Sequence, residues 1–368
     1  MTIDEILHIP PYSLDRDAKR KMLNERIGEL TRYHYEHCEL YRKMMDAVGL
    51  DITNLPEYDE LPFLPVRLFK EFELRSVPKE EIAKTMTSSG TTGQQKSQIF
   101  VDRTTSANQT KALTKIVSAF IGTHRVPMLI LDTSAVIKNR NIFSARGAGI
   151  LGFSMFGSKR MYALGENMEL DVEGMKKFLE EHKGETVFMF GFTFMIWQHF
   201  CKKLIESGYK PDLSKGVLIH GGGWKKLVNE QVLPEEYKKT LNEACGILPE
   251  NVHDYYGMVE QTGSIYMECE CGHLHAPAFS DVIIRRPIDF SIADKGEKGI
   301  IEVVSALPES YPGHVLLTED EGAVLGEDDC PCGRKGKYFK VFGRIKNAEI
   351  RGCSDTYTTP LVPKVPKK

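Results

Sequence analysis

Strongly apolar runs alternate with helix-patterned stretches through the middle of the chain, and this alternation constrains the fold more than any other feature. VPMLILD (126–132), TVFMFGF (186–192) and VLI (217–219) have no polar face, as strands covered on both sides require. The stretch from Thr105 to Gly122 has a helical pattern. Asp171 caps a second helix, whose stripe of Met175, Phe178 and Leu179 ends at Gly184. Pro234 opens a third, with Tyr237, Leu241, Ala244 and Cys245 on one face. Helices between apolar strands predict an α/β fold with a largely parallel sheet.

The flanks differ from this core. Residues 17 to 47 read as helical, with Met22, Leu23, Ile27, Leu30 and His34 on one face. NLPEYDELPFLP (54–65) is too proline-rich for a helix and reads as extended. Late in the chain, GIIEVVSA, HVLLTEDEG and KYFKVFGR are short β-type segments joined by glycine-bearing turns. The expected organisation is a helical and extended region (1–84), an α/β core (85–290), a β-rich subdomain (291–352) and a short tail (353–368) whose TTPLVPKVPKK reads as disordered or extended.

Composition removes several function classes. A formal net charge of -3 over 368 residues leaves no basic stripe for nucleic acid. No apolar run approaches the roughly 18 residues a membrane span needs. MTIDEILHIPPYS lacks the apolar core of a signal peptide, so a cytoplasmic protein is expected. Of the 8 cysteines, Cys38, Cys201 and Cys245 read as buried small hydrophobes. The remainder fall as Cys269 with Cys271, Cys330 with Cys332, and Cys353 alone.

The segment with the clearest chemistry is SSGTTGQQK, from Ser88 to Lys96. Gly90 and Gly93 let backbone N–H groups turn toward a polyphosphate. Ser88, Ser89, Thr91 and Thr92 add hydroxyl donors, and Lys96 balances charge. GxxxxGK[ST] is absent, so this is not a Walker A loop. Its flanks, IAKTMT and SQIFVD, are strand-like, so the loop is expected to join two strands. A polar hairpin turn is the bland alternative.

SSGTTGQQK resembles the TSGTTGxPK signature of the adenylate-forming superfamily, with Ser88 and Gln95 as departures. Further resemblances follow in that superfamily's order. HGGGWK (220–225), with Gly221, Gly222 and Gly223, lies where the adenine-binding turn is placed. Tyr256-Gly257-Met258-Val259-Glu260 resembles YGxTE, and Thr318 to Gly322 resembles TGDxG. Gly343-Arg344 and Arg351-Gly352 resemble the two ends of the hinge motif. The resemblance implies ATP, with Glu260 holding Mg²⁺, Tyr256 stacking on adenine, Asp320 accepting from the ribose hydroxyls and Arg344 donating to ribose or phosphate. Carboxylate attack on the α-phosphate would then be mainly positioning and charge neutralisation.

One branch resembles the chain throughout: the LuxE-type acyl-protein synthetases, related to phenylacetate-CoA ligases. The usual lid domain is expected to be missing or vestigial, since the chain stops at Lys368 soon after Arg351-Gly352. The branch implies a fatty acid activated as acyl-AMP, transfer to the enzyme's own cysteine, here Cys353 in RGCSDTY, and a reductase partner that receives the acyl group. Arg351 beside Cys353 would favour the thiolate. Two alternatives stay open: a ligase passing the acyl group to coenzyme A or a carrier, and a nucleotide- and zinc-binding scaffold subunit.

CECGHLH (269–275) and CPCG (330–333) together read as a structural zinc site of Cys269, Cys271, Cys330 and Cys332, with His273 or His275 able to replace one thiolate. The aromatic run FMFGFTFMIWQHF (188–200) reads mostly as core, with Gly191 and Phe192 placed to line an acyl channel.

Overall fold

The computed structural model describes residues 1–88, 96–138, 145–224 and 230–345. Its strands are β1 (Leu64–Pro65), β2 (Ile82–Thr87), β3 (Gln98–Asp102), β4 (Val126–Thr133), β5 (Gly157–Leu164), β6 (Phe188–Phe192), β7 (Val217–Gly221) and β8 (Val252–Tyr256), followed by β9 (Tyr266–Glu268), β10 (Leu274–His275), β11 (Ser280–Arg285), β12 (Gly299–Ser305), β13 (Val315–Glu327) and β14 (Lys337–Arg344). All but β2 and β3 belong to one 12-stranded sheet ordered β11-β12-β13-β14-β10-β9-β8-β7-β6-β4-β5, with β1 paired to β13.

The sheet has two characters. From β5 through β4, β6 and β7 to β8, neighbours are parallel. From β8 outward through β9, β10, β14, β13 and β12 to β11 they are antiparallel. The apolar runs become β4, β6 and β7, and both faces of each are covered. Met128 and Ile130 join one core with Phe188, Phe190 and Ile219. Leu129 and Leu131 join another with Met189 and Leu218. The parallel-sheet expectation for the middle of the chain therefore holds, and β9 to β14 make the fold a mixed α/β sheet.

Local chemistry explains the helix ends. Asp102 caps the helix Arg103–Ile121 by accepting from Thr105, and Gly122 stops it at φ 84. Asp171 caps Val172–Glu181, and Gly246 in the left-handed region closes Pro234–Cys245. The stretch 17–47 is helical as expected, in two helices, Arg16–His37 and Glu39–Ala47, separated where Cys38 turns extended at φ -123, ψ 99. The break lets Tyr41 and Met45 join a different core from Leu23 and Ile27. The run after β6 holds a second surprise: a π-helical turn over Ile196–Cys201. No helix among the described residues is long and apolar enough to cross a membrane.

Candidate active site and metal cluster

The strand-like flanks of the glycine-rich loop do pair. β2 and β3 form a separate antiparallel hairpin, and Thr87 lies opposite Gln98. At its mouth the Ser97 N–H donates to Ser88 Oγ at 2.9 Å, and the Ser88 N–H donates to the Ser97 carbonyl at 3.3 Å. Ser89, Gly90, Thr91, Thr92 and Gly93 lie outside the described residues, and Lys96 is exposed. Beneath the mouth sits Glu260, 4% exposed, on a short 3-10 turn from Val259 to Gln261. Gln261 anchors that turn by donating to the carbonyls of Val303 and Gly313. Burial raises the Glu260 carboxyl above its ordinary range, and Ser97 beside it pulls the other way.

Three expected nucleotide residues meet where the parallel and antiparallel halves join. Tyr256 ends β8, and its hydroxyl donates to Asp320 Oδ2 at 2.8 Å. Asp320 on β13 lies opposite Arg344 on β14, whose Nε is 3.7 Å from Asp320 Oδ1. Arg344 also reaches Glu319 at 3.3 Å. Burial pushes the Asp320 carboxyl up, opposed by Tyr256 and Arg344.

At the C-terminal end of β7, Gly221 and the turn residues Gly222 and Gly223 are glycines for a reason. A Cβ on Gly221 would lie 2.7 Å from the Tyr255 ring, and one on Gly222 would lie 2.9 Å from Phe192. Gly222 and Gly223 also have φ of 87 and 60. Gly257 is hemmed in by Ile265, 3.0 Å from where its Cβ would be. Phe192 is closed in from the other side too, since a Cβ on Gly149 would come within 3.0 Å of its ring.

The cysteine motifs converge as expected, with one correction. Cys269, His275, Cys330 and Cys332 offer ligand atoms that all lie within 4.8 Å of one another. Cys271 is exposed and outside that set, and His275 takes the fourth place. The reason is the turn. Gly272 at φ 77 and the bond from Cys269 N–H to the His273 carbonyl fold the segment into a hairpin with Cys271 near its tip. His275 Nε2 lies 3.4 Å from Cys332 Sγ, and His273 Nδ1 lies 3.3 Å from Cys330 Sγ. Three thiols and an imidazole fit a four-coordinate zinc-type site.

Sequence reasoning missed several buried or half-buried polar groups. Arg146 donates from Nε to Asp132 Oδ2 at 2.6 Å and from Nη2 to Oδ1, at the C-terminal end of β4. Fourteen residues and no motif separate the two. His220 precedes the glycine turn, with Nδ1 3.0 Å from Thr193 Oγ1, and burial holds it down at about 3. Arg334 stacks over Phe120 at 4.8 Å and pairs with Glu270 at 2.5 Å. Its place two residues after Cys332 was the available signal.

The whole-chain likeness agrees with this geometry. The crystal structure of an open conformation of 2-hydroxyisobutyryl-CoA ligase, in complex with 2-HIB-AMP and CoA, superposes with a TM-score of 0.68 at 16% identity, covering 91% of this chain and 77% of that one. The fold is that of an adenylate-forming ligase. The family model described as "Acyl-protein synthetase, LuxE" matches residues 1–361, so the chain belongs to that family and is a ligase. It is 22% identical over 363 residues to the long-chain-fatty-acid–luciferin-component ligase of Vibrio harveyi, covering 96% of this chain and 92% of that one. It is also 23% identical over 368 residues to the phenylacetate-coenzyme A ligase of Thermus thermophilus, covering 95% and 75%.

Proposed function

We propose that the protein activates a fatty acid with ATP as acyl-AMP, passes the acyl group to its own Cys353, and delivers it to a reductase partner. The observation that carries this reading is the meeting of Tyr256, Asp320 and Arg344 at the join of the two half-sheets, with buried Glu260 under the mouth of the β2–β3 hairpin. The named functions of the relatives supply the substrate class.

In this reading the loop from Ser88 to Lys96 grips the polyphosphate and the turn at Gly221 to Gly223 backs the adenine. Tyr256 faces the adenine, Asp320 accepts from the ribose hydroxyls, and Arg344 donates to ribose or phosphate. Glu260, a carboxylate whose charge burial disfavours, would hold magnesium, which would supply charge neutralisation for the phosphates. A substrate carboxylate oxygen bonds the α-phosphorus as the bond to the β-phosphate oxygen breaks, releasing pyrophosphate. The Cys353 sulfur, its proton lost to solvent, then attacks the acyl carbon and AMP leaves. Cys269, His275, Cys330 and Cys332 would hold a zinc ion in a structural role, since four protein ligands would leave no open position for catalysis. The enzyme is placed in the cytoplasm.

ATP–pyrophosphate exchange across fatty and aromatic acids, followed by intact-mass measurement, tests this. Cys353→Ser is expected to keep exchange and lose the covalent acyl adduct; an adduct retained in that variant overturns the acyl-enzyme step. The likeness to phenylacetate-coenzyme A ligase favours a second reading, transfer to coenzyme A. Thioester formation on added coenzyme A by Cys353→Ala would select it.

A further inference from the structure

The metal cluster adjoins the two-residue strand that closes the sheet between the nucleotide-binding strands. β8, bearing Tyr256, and β14, bearing Arg344, are not neighbours; β9 and β10 lie between them. Both strands are short. β9 has three residues, and β10 has two, each paired once to β9 and once to β14. So short a ladder fixes backbone conformation at a cost that a few hydrogen bonds barely offset.

The four ligands bracket this weak point. Cys269 directly follows β9, His275 is the second residue of β10, and Cys330 and Cys332 lie in the segment between β13 and β14. An ion bound by all four ties the β9–β10 hairpin to the connection between β13 and β14. Aromatic packing carries the constraint onward. Tyr338 on β14 lies opposite His275 and stacks on His275 at 5.7 Å and on His273 at 4.8 Å. The next residue, Phe339, meets Tyr266 edge-on at 5.2 Å and Tyr256 at 6.2 Å. Tyr256 in turn donates to Asp320.

We infer that the metal positions the nucleotide site: with the ion bound, β10 and β14 hold Tyr256, Asp320 and Arg344 in their mutual register, and with the ion removed this register loosens while the parallel half stays folded. His275 and Tyr338 are positioning residues in this sense and touch no substrate. The inference rests on the nucleotide-site reading above, and its test separates the two.

The experiment uses the full chain, loaded with zinc and stripped with a chelator. Elemental analysis of the loaded protein should find one zinc per chain. Amide hydrogen exchange should rise at least tenfold on stripping in peptides covering 266–275 and 337–344, with no rise in those covering β4 and β6. ATP should bind at least tenfold more weakly to the stripped form, and added zinc should restore both readouts. Tyr338→Ala is expected to keep its zinc yet bind ATP more weakly. Failure to hold zinc, unchanged exchange in those segments, or an equal rise across the whole chain overturns the inference. Parent-like ATP binding by zinc-loaded Tyr338→Ala overturns the route through β14. If the loaded parent fails to bind ATP, the nucleotide reading falls, and the exchange pattern still decides the coupling.

Discussion

The two halves of the sheet share one hydrogen-bonded surface and are held by different forces. In the parallel half, β6 and β7 are buried along their whole length and packed by Phe188, Phe190, Leu218 and Ile219. Phe190 stacks on Phe153 at 4.1 Å. In the antiparallel half, the interior is threaded with charge. Arg285 pairs with Glu302 at 2.6 Å, and the two side chains are 8% and 0% exposed. Asp281 takes Lys337 at 2.7 Å, Tyr58 at 2.6 Å and Lys19 at 3.4 Å. The parallel half is stabilised by burial, which tolerates changes of shape better than changes of polarity. The antiparallel half is stabilised by matched partners, which tolerate neither loss nor addition of one charge.

The largest expected effect follows from that contrast. Glu302→Ala leaves Arg285 buried without its carboxylate and is expected to cost about 3–5 kcal/mol in chemical denaturation. Replacing Arg285 and Glu302 together with apolar residues should recover much of this loss; a double variant no better than the single would erase the distinction between the halves. A smaller effect is expected within the parallel half, just after β7. Gly222→Ala places a Cβ at φ 87 against Phe192 and is expected to cost about 1–3 kcal/mol, read as a lowered denaturation midpoint. A neutral result would show that the turn relaxes freely.

Acid pH gives the smallest and most graded effect. Burial holds His314 and His220 at about 3 and His253 at about 4, and burial with the neighbouring His314 holds His34 well below its ordinary value. Each is neutral in the folded state and takes a proton near pH 6.5 once unfolded. Their contribution is therefore complete above about pH 6.5 and declines as pH falls toward the folded values, at up to about 1.4 kcal/mol per pH unit for each group. Denaturation midpoints measured from pH 7 to 4 should fall, and His314→Gln should flatten the slope by about one proton. An unchanged slope would remove the His34–His314 stack, 4.9 Å between rings, from the acid-sensitive set.

Much of the fold was legible because its signals are local. Apolar runs marked β4, β6 and β7, Asp171 marked the start of Val172–Glu181, and Pro234 marked the first position of Pro234–Cys245. The break at Cys38 was not legible, because an apolar stripe continues across it and Cys38 makes no side-chain cap. The site shows the same division. Tyr256, Asp320 and Arg344 could be singled out from motifs, whereas Asp132 with Arg146, or His275 in place of Cys271, depends on how distant segments fold together. A turn at Gly272 decides which of two candidate ligands faces inward, and spacing alone does not encode that choice.

The place of β14 has a consequence for how the chain is made. It is the last strand described, yet it lies between β13 and β10. Until residue 344 has been synthesised, those two strands have no common neighbour, and β10 and the stretch of β13 from Asp320 to Glu327 keep an open edge. The parallel half, complete by residue 256, can condense earlier. Biosynthesis thus brings Arg344 opposite Asp320 late, and the interval before that pairing is when unpaired edges leave the nascent chain most prone to aggregate.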